Sequence, residues 1–154
     1  MPQVGVIIGS RSDDQYVQGC IQILNDMGIE YEYEVLSAHR TPEQVMAYAR
    51  SARDRGIQVL IAGAGGSAAL PGVLASWTTL PVIGIPLPTS ELKGVDSLHT
   101  IVQMPPGIPV ACVAVGEWGS RNAAYLAAQI LGLQDEKIRR AYEAYREKLR
   151  EGSR

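Results

Sequence analysis

Between Ile57 and Gly72 the chain reads IQVLIAGAGGSAALPG, an apolar run that enters a glycine cluster and continues as a small-residue segment with a proline. This order predicts a strand over Val59 to Ala62, a tight turn at Gly63, Gly65 and Gly66, and a helix start. Glycine admits positive φ at such a turn, and without a Cβ it lets a ligand approach the main chain. The amides of the turn then point outward, as an anion or a carbonyl requires. Gly63, Gly65 and Ala68 also fit the dinucleotide pattern G-x-G-x-x-A, but that pattern needs an acidic residue at the end of the next strand. The next strand, Pro81 to Pro86, ends without one, which argues against a nicotinamide cofactor. The competing structural reading is close packing of strand on helix with no ligand.

The rest of the chain repeats the same unit. Val4 to Ile8 is a continuous apolar run, the pattern of a strand buried on both faces. It ends in Gly9-Ser10-Arg11-Ser12-Asp13, where Ser12 with Gln15 reads as a capping box before Val17, Cys20, Ile21, Leu24 and Met27 recur at helical spacing. The Ser10 and Ser12 hydroxyls and the free amides of a helix start make this loop a phosphate seat or a simple cap. Tyr31 to Leu36 alternates apolar residues with glutamate, as a half-exposed strand does, and runs into Ser37-Ala38-His39-Arg40-Thr41-Pro42. Thr41 before Pro42 marks a helix with Val45, Met46, Ala49 and Ala52 on its apolar face. His39 and Arg40 therefore fall in a strand-to-helix loop, where open α/β sheets bind ligands. Arginine offers a planar fork to phosphate or carboxylate.

After Pro81 to Pro86 the chain reads as loop from Leu87 to Val95, a short helix from Asp96 to Gln103 with a structural or exposed His99, and a proline-rich bend from Met104 to Pro109. A fifth strand, Val110 to Val115, is expected to end in a loop at Gly116 to Ser120. A small-residue helix carrying Ala123, Ala124, Leu126, Ala127, Ile130 and Leu131 follows. A last helix from about Gln134 to Arg150 aligns Ile138, Tyr142, Tyr145 and Leu149, a packing stripe for the body or a neighbouring subunit. Five strands alternating with helices predict a parallel α/β sandwich with the polar loops on one edge.

At 154 residues the chain is expected to form one domain over 1–154, with residues from about 133 onward as a C-terminal helix. Burial of about two-thirds of the unfolded surface supplies a core without staples. A net charge of −2, with both signs interspersed, gives no basic face for nucleic acid. Cys20 and Cys112 sit in apolar patterns without metal-type or redox-type spacing and read as buried thiols. With only two histidines, His39 and His99, a histidine-rich metal site is not expected. No apolar run approaches the ~20 residues of a membrane span and the N-terminus lacks a signal-peptide pattern, so a cytoplasmic location is expected. Nucleophile elbows and catalytic carboxylate pairs are absent from the pattern, which leaves His39 as the proton-transfer candidate.

With these loops in view the chain resembles the PurE family, the carboxyaminoimidazole ribonucleotide mutases of de novo purine synthesis. The resemblance rests on Gly9-Ser10 with Ser12-Asp13, SAHRTP at Ser37 to Pro42, IAGAGG at Ile61 to Gly66 and LPG at Leu70 to Gly72. It continues through LPVIG at Leu80 to Gly84, GVDSL at Gly94 to Leu98, IVQMP at Ile101 to Pro105 and NAAYLAAQIL at Asn122 to Leu131. It implies a flavodoxin-like three-layer sandwich with a five-stranded parallel sheet, a homo-octamer with active sites at subunit contacts, and no metal or organic cofactor. The implied reaction moves a carboxylate from the exocyclic nitrogen of the aminoimidazole ribonucleotide to ring carbon four. By position, Ser10, Asp13 and Arg40 would hold the ribose phosphate, and His39 would be the general acid and base. Around them Gly9, Ser12, Ser37, Ala38, Leu70 and the turn Gly63, Ala64, Gly65, Gly66, Ser67 and Ala68 would line the substrate site. The turn and Ser67 would face the carboxylate or the liberated carbon dioxide.

Two positions depart from the family pattern. Ala69 stands where the family carries a second active-site histidine, and Asp14 where it often carries tryptophan. A methyl neither donates a hydrogen bond nor carries a proton, so the substitution bears on turnover more than on binding. Three other readings are a ribonucleotide-binding protein without chemistry, a carboxylase using free carbon dioxide, and a flavin carrier flanked by Trp77 and Trp118. Both tryptophans are expected to be packing residues.

Overall fold

The structure is a computed structural model that describes residues 1–152. Its elements, in chain order, are β1 (Val4–Ile8), α1 (Asp14–Asp26), β2 (Tyr31–Val35), α2 (Pro42–Ala52), β3 (Val59–Gly65), α3 (Leu70–Trp77) and β4 (Val82–Leu87). They are followed by α4 (Val95–Val102), β5 (Ala111–Cys112), α5 (Gly116–Leu131) and α6 (Glu136–Arg150). All five strands are parallel, in the order β2-β1-β3-β4-β5, the flavodoxin-like order of doubly wound sheets. The expected fold class is the one observed.

The period-2 alternation of β3 sorts the core into two halves. Val59 and Ile61 join Val6 and Ile8 against Val17 and Leu24 of α1 and Ala123 and Ala127 of α5. Leu60, Ala62 and Ala64 face the other way, onto Val45 and Ala49 of α2 and Leu70 and Leu74 of α3. Burial of each large aliphatic side chain contributes about 1.5–3 kcal/mol, so the two interfaces carry most of the sheet's stability. The alanines of α5 bring that helix close to the sheet. Cys20 lies inside the first half, where burial pushes its thiol up to about 12; Cys112 is half-buried, and both are free thiols.

Several local expectations are corrected. The capping box of Ser12 and Gln15 does not form, because residues Arg11–Asp13 make a 3-10 turn capped by Ser10, whose Oγ accepts from the Ser12 N–H at 3.4 Å. Thr41 does begin α2, but its hydroxyl donates to the Ser37 carbonyl at 3.1 Å instead of capping the helix. β3 runs on to Gly65, paired with Leu87 of β4. β5 is an edge strand only two residues long, since the chain leaves the sheet at Ala114, φ +136, to turn into α5. The expected loop at Gly116 to Ser120 is therefore the first turn of α5. At the other end of the chain, Asp135 caps α6 by accepting from the N–H groups of Lys137 and Ile138 at 3.0 and 3.2 Å. Ile138 is buried, and Tyr145 stacks on Tyr125 with centroids 4.4 Å apart. Leu149, expected in this stripe, is exposed, as are Trp77 at 44% and Trp118 at 78%. Trp118 occupies the outer face of the first turn of α5, away from both halves of the core.

Candidate active site

The topology itself makes a crevice. The crossover after β1 places α1 on one face of the sheet, whereas the crossovers after β2, β3 and β4 place α2, α3 and α4 on the other. Loops leaving the adjacent strands β1 and β3 diverge, and ligands bind at such a switch point outside the carboxyl ends of the strands. A cleft of about 390 Å³ opens there.

Its first wall is the loop after β1. Gly9, Ser10, Ser12 and Asp13 line it, with the two serine hydroxyls 3.0 Å apart and the Asp13 N–H bonded to the Ser10 carbonyl at 3.0 Å. Asp13 is 6% exposed and has no cationic partner among the described residues. Burial raises its carboxyl above the usual range, and a backbone hydrogen bond from Ser10 opposes that rise. Next to it Asp14 accepts from the Tyr33 hydroxyl at 2.6 Å, which ties the start of α1 to β2. Burial, reinforced by that carboxylate, pushes the Tyr33 phenol up and keeps it a donor.

The second wall is the turn after β2. The Arg40 N–H donates to Ser37 Oγ at 3.1 Å, and the Ser37 N–H to Thr41 Oγ1 at 3.0 Å. These bonds close the turn and leave the His39 and Arg40 side chains exposed at the cleft with Ser37 and Ala38. Neither side chain makes an ion pair among the described residues.

The third wall comes from β3 and α3. Ala64, Gly65, Ser67, Ala68, Ala69 and Leu70 line it. Gly66 and Ala68 sit in left-handed backbone, φ +60 and +40, and the Ala68 N–H closes the turn on the Gly65 carbonyl at 3.0 Å. For alanine this conformation costs roughly 1–2 kcal/mol, strain of the kind that collects at functional sites. α3 begins here with Pro71 in its first turn, so its free amides lie at the cleft.

Of the residues singled out from the sequence, Gly63 and Gly66 do not line the cleft. Gly63 lies within β3 on the face toward α1, where an added Cβ would meet Leu87, Val17 and Ile8 at 3.4–3.5 Å. It is buried against α1 and takes no part in the cleft. An added Cβ on Gly66 would meet nothing within 4 Å, so the backbone angle alone asks for glycine there. The sequence reading missed Thr89, which lines the fourth side from the loop after β4. The rule that flagged the other strand ends applies equally to β4, and a hydroxyl two residues past its end was the available signal.

The cleft thus holds one imidazole, one guanidinium, one buried carboxyl, several hydroxyls and the amides at the start of α3. Such a set can bind an anion and a polyol and move a proton. No cluster of metal-ligating side chains occurs among the described residues, and none of their helices is long and apolar enough to cross a membrane.

A family model described as AIR carboxylase matches residues 3–152. The chain is 53% identical over 150 residues to the N5-carboxyaminoimidazole ribonucleotide mutase of Saccharolobus solfataricus, covering 97% of this chain and 94% of that one. With the protein of the same description from Aquifex aeolicus it is 58% identical over 133 residues, 86% of this chain and 78% of that one. Among solved structures it superposes on Treponema denticola PurE with a TM-score of 0.88 and 32% identity, covering 99% and 94% of the two chains.

Proposed function

The chain belongs to the AIR carboxylase family, and from that membership we infer that it is an isomerase of purine biosynthesis, converting N5-carboxyaminoimidazole ribonucleotide to 4-carboxy-5-aminoimidazole ribonucleotide. The observation that carries this reading is the 53% identity to a mutase over 97% of the chain. The composition of the cleft supports it.

Arg40 and the Ser10 hydroxyl take the phosphate, an assignment that suits a guanidinium fork and a hydroxyl donor. Asp13 can only accept when ionised, so it serves sugar hydroxyls and not the phosphate itself. His39 is the general acid and base. As the bond between N5 and the carboxylate carbon breaks, the imidazolium gives its proton to N5 and carbon dioxide is released into the cleft. Carbon four then attacks that carbon dioxide, and the neutral imidazole removes the proton from carbon four. The proton balance closes on one side chain, and no electron is gained or lost. Histidine suits both steps because it titrates near neutral pH. The other wall, built of Ala64, Ala68, Ala69 and Leu70, offers carbon dioxide an apolar surface. Ala69 leaves His39 as the one imidazole lining the cleft.

The same reading carries a cytoplasmic location and a homo-octamer with active sites at subunit contacts. The exposed Trp118 and Leu92, at 78% and 62%, supply apolar surface for such contacts, and light scattering measures the subunit number.

The test is conversion of N5-carboxyaminoimidazole ribonucleotide to its C4 isomer, followed by absorbance, with aminoimidazole ribonucleotide plus bicarbonate run alongside. Rapid isomerisation is expected. Turnover only from the uncarboxylated ribonucleotide would make the protein a carboxylase. Binding without turnover of either would make it a ribonucleotide-binding protein.

A further inference from the structure

Thr89 reaches the cleft from the strand the other walls do not use, and its placement is constrained on both sides. The chain leaves β4 at Leu87, passes Pro88, and is anchored at Ser90, whose hydroxyl donates to Asp96 at 2.5 Å and accepts from the Leu92 N–H at 3.1 Å. Thr89 is held between these fixed points. Its Oγ1 occupies the space a side chain on Gly65 would need: a Cβ built there overlaps Thr89 Oγ1 and comes within 3.1 Å of Thr89 Cβ. A β-branched side chain has few rotamers to begin with, and this close approach to the end of β3 fixes it further. No hydrogen bond among the described residues uses the Thr89 hydroxyl, although the residue lines the cleft.

The distribution of polar groups across the cleft gives that free hydroxyl a meaning. Arg40, His39, Asp13, Ser10 and Ser12 all come from the loops after β1 and β2. On the side of β3 and β4 the side chains are alanines and a leucine, apart from Ser67 and Thr89. A substrate with a phosphate at one end and a carboxylate at the other needs donors at both. Ser67 and Thr89 are both exposed, but only Thr89 has its hydroxyl set against the end of β3 at Gly65, so it is the placed side-chain donor on the far side.

We propose that Thr89 fixes the migrating carboxylate, donating its hydroxyl hydrogen to a carboxylate oxygen. The inference rests on the mutase reading for the identity of the anion. Thr89 forms no covalent bond and takes no proton; it orients the carboxylate plane so that the carbon dioxide released at N5 stays over carbon four.

The test compares Thr89→Val, which keeps the shape and loses the hydroxyl, with Thr89→Ser, which keeps the hydroxyl. Calorimetric binding to the full chain is measured for the C4-carboxylated ribonucleotide and for its uncarboxylated parent. Thr89→Val is expected to weaken the carboxylated ligand roughly tenfold to a hundredfold, the range for a lost hydrogen bond to a charged group. The parent should change by less than about twofold, and Thr89→Ser should recover most of the loss. Unchanged binding of both ligands by Thr89→Val overturns the proposal. Equal weakening of both also overturns it, because Thr89 then only shapes the wall. If the wild type shows the selective loss on substitution but isomerises nothing, the mutase reading falls and the Thr89 contact stands. If the wild type binds neither ribonucleotide, both fall.

Discussion

The two ends of the sheet treat charge in opposite ways. At the amino end, Arg55 donates to the Glu32 carboxylate at 2.6 Å and to the Ser51 hydroxyl, and its guanidinium lies 4.6 Å from the centre of the Tyr48 ring. The amino terminus pairs with Glu30 at 2.9 Å, and Arg53 donates to Thr79 at 2.9 Å. At the carboxyl end, Asp13, His39 and Arg40 make no ion pair among the described residues. One end uses its charges to hold elements together. The other leaves them uncommitted, at a cost in stability, for a ligand that brings its own charge.

The carboxyls of the two ends show the same division. Burial pushes Glu32 up, but the Tyr48 hydroxyl and the Arg55 guanidinium outweigh it and hold the carboxyl below its ordinary value. Tyr48 Oη has no hydrogen-bond partner by geometry among the described residues, so it acts on Glu32 as a nearby dipole and not through a formed bond. Asp13 has no such support, and burial leaves it raised.

The sharpest way to break this division is at His39. His39→Asn should lower kcat by about 10²–10⁴-fold, the usual contribution of a positioned acid or base. Nucleotide affinity and the unfolding midpoint should stay near wild type, by calorimetry and chemical denaturation. A fall in stability with unchanged turnover would put His39 among the structural groups. Arg55→Met should do the reverse. It removes the cation from a partly shielded pair and should lower the unfolding free energy by about 1–3 kcal/mol, with kcat/KM within about twofold of wild type.

The smallest effects are expected in the pH dependence of stability, and they differ in sign. A lowered carboxyl stabilises the fold above the unfolded pKa, and that contribution is lost as pH falls through the folded value. Glu32→Gln should therefore destabilise at pH 7 and converge with wild type on acidification. A raised carboxyl acts oppositely: its protonated form is the one the fold favours, and stability is lost as pH rises through the folded value. Asp13→Asn should therefore raise the denaturation midpoint at pH 7, with the gain vanishing in acid, while ribonucleotide binding weakens. Parallel shifts for the two variants would erase the distinction between the ends.

Much of this site was legible in the chain because parallel crossovers bring every strand's carboxyl end to one edge. Ser10, Asp13, His39 and Arg40 needed only the strand-to-helix order to be placed together. Other residues depended on geometry that residue type does not encode. Gly63 and Gly65 look equivalent as letters, and both point toward the same sheet face, yet Gly63 is roofed by α1 while Gly65 emerges at the rim beside Thr89. Serines two apart offered alternative caps, and the 3-10 turn selected Ser10. The start of α5 was hidden because Gly116, φ +69, resembles a loop residue by composition while the main chain turns straight into a helix. Trp118 carried the signal of a core residue, and nothing in its neighbours told that its side of α5 faces outward.

The fit between Gly65 and Thr89 also constrains descent. An alanine at 65 and a threonine at 89 contend for one volume, so the order of change matters: position 89 can shrink while 65 is glycine, but a lineage that enlarges 65 first passes through an ill-fitting intermediate. Across residues 24 apart in the chain, the history of one position thus limits what the other can accept.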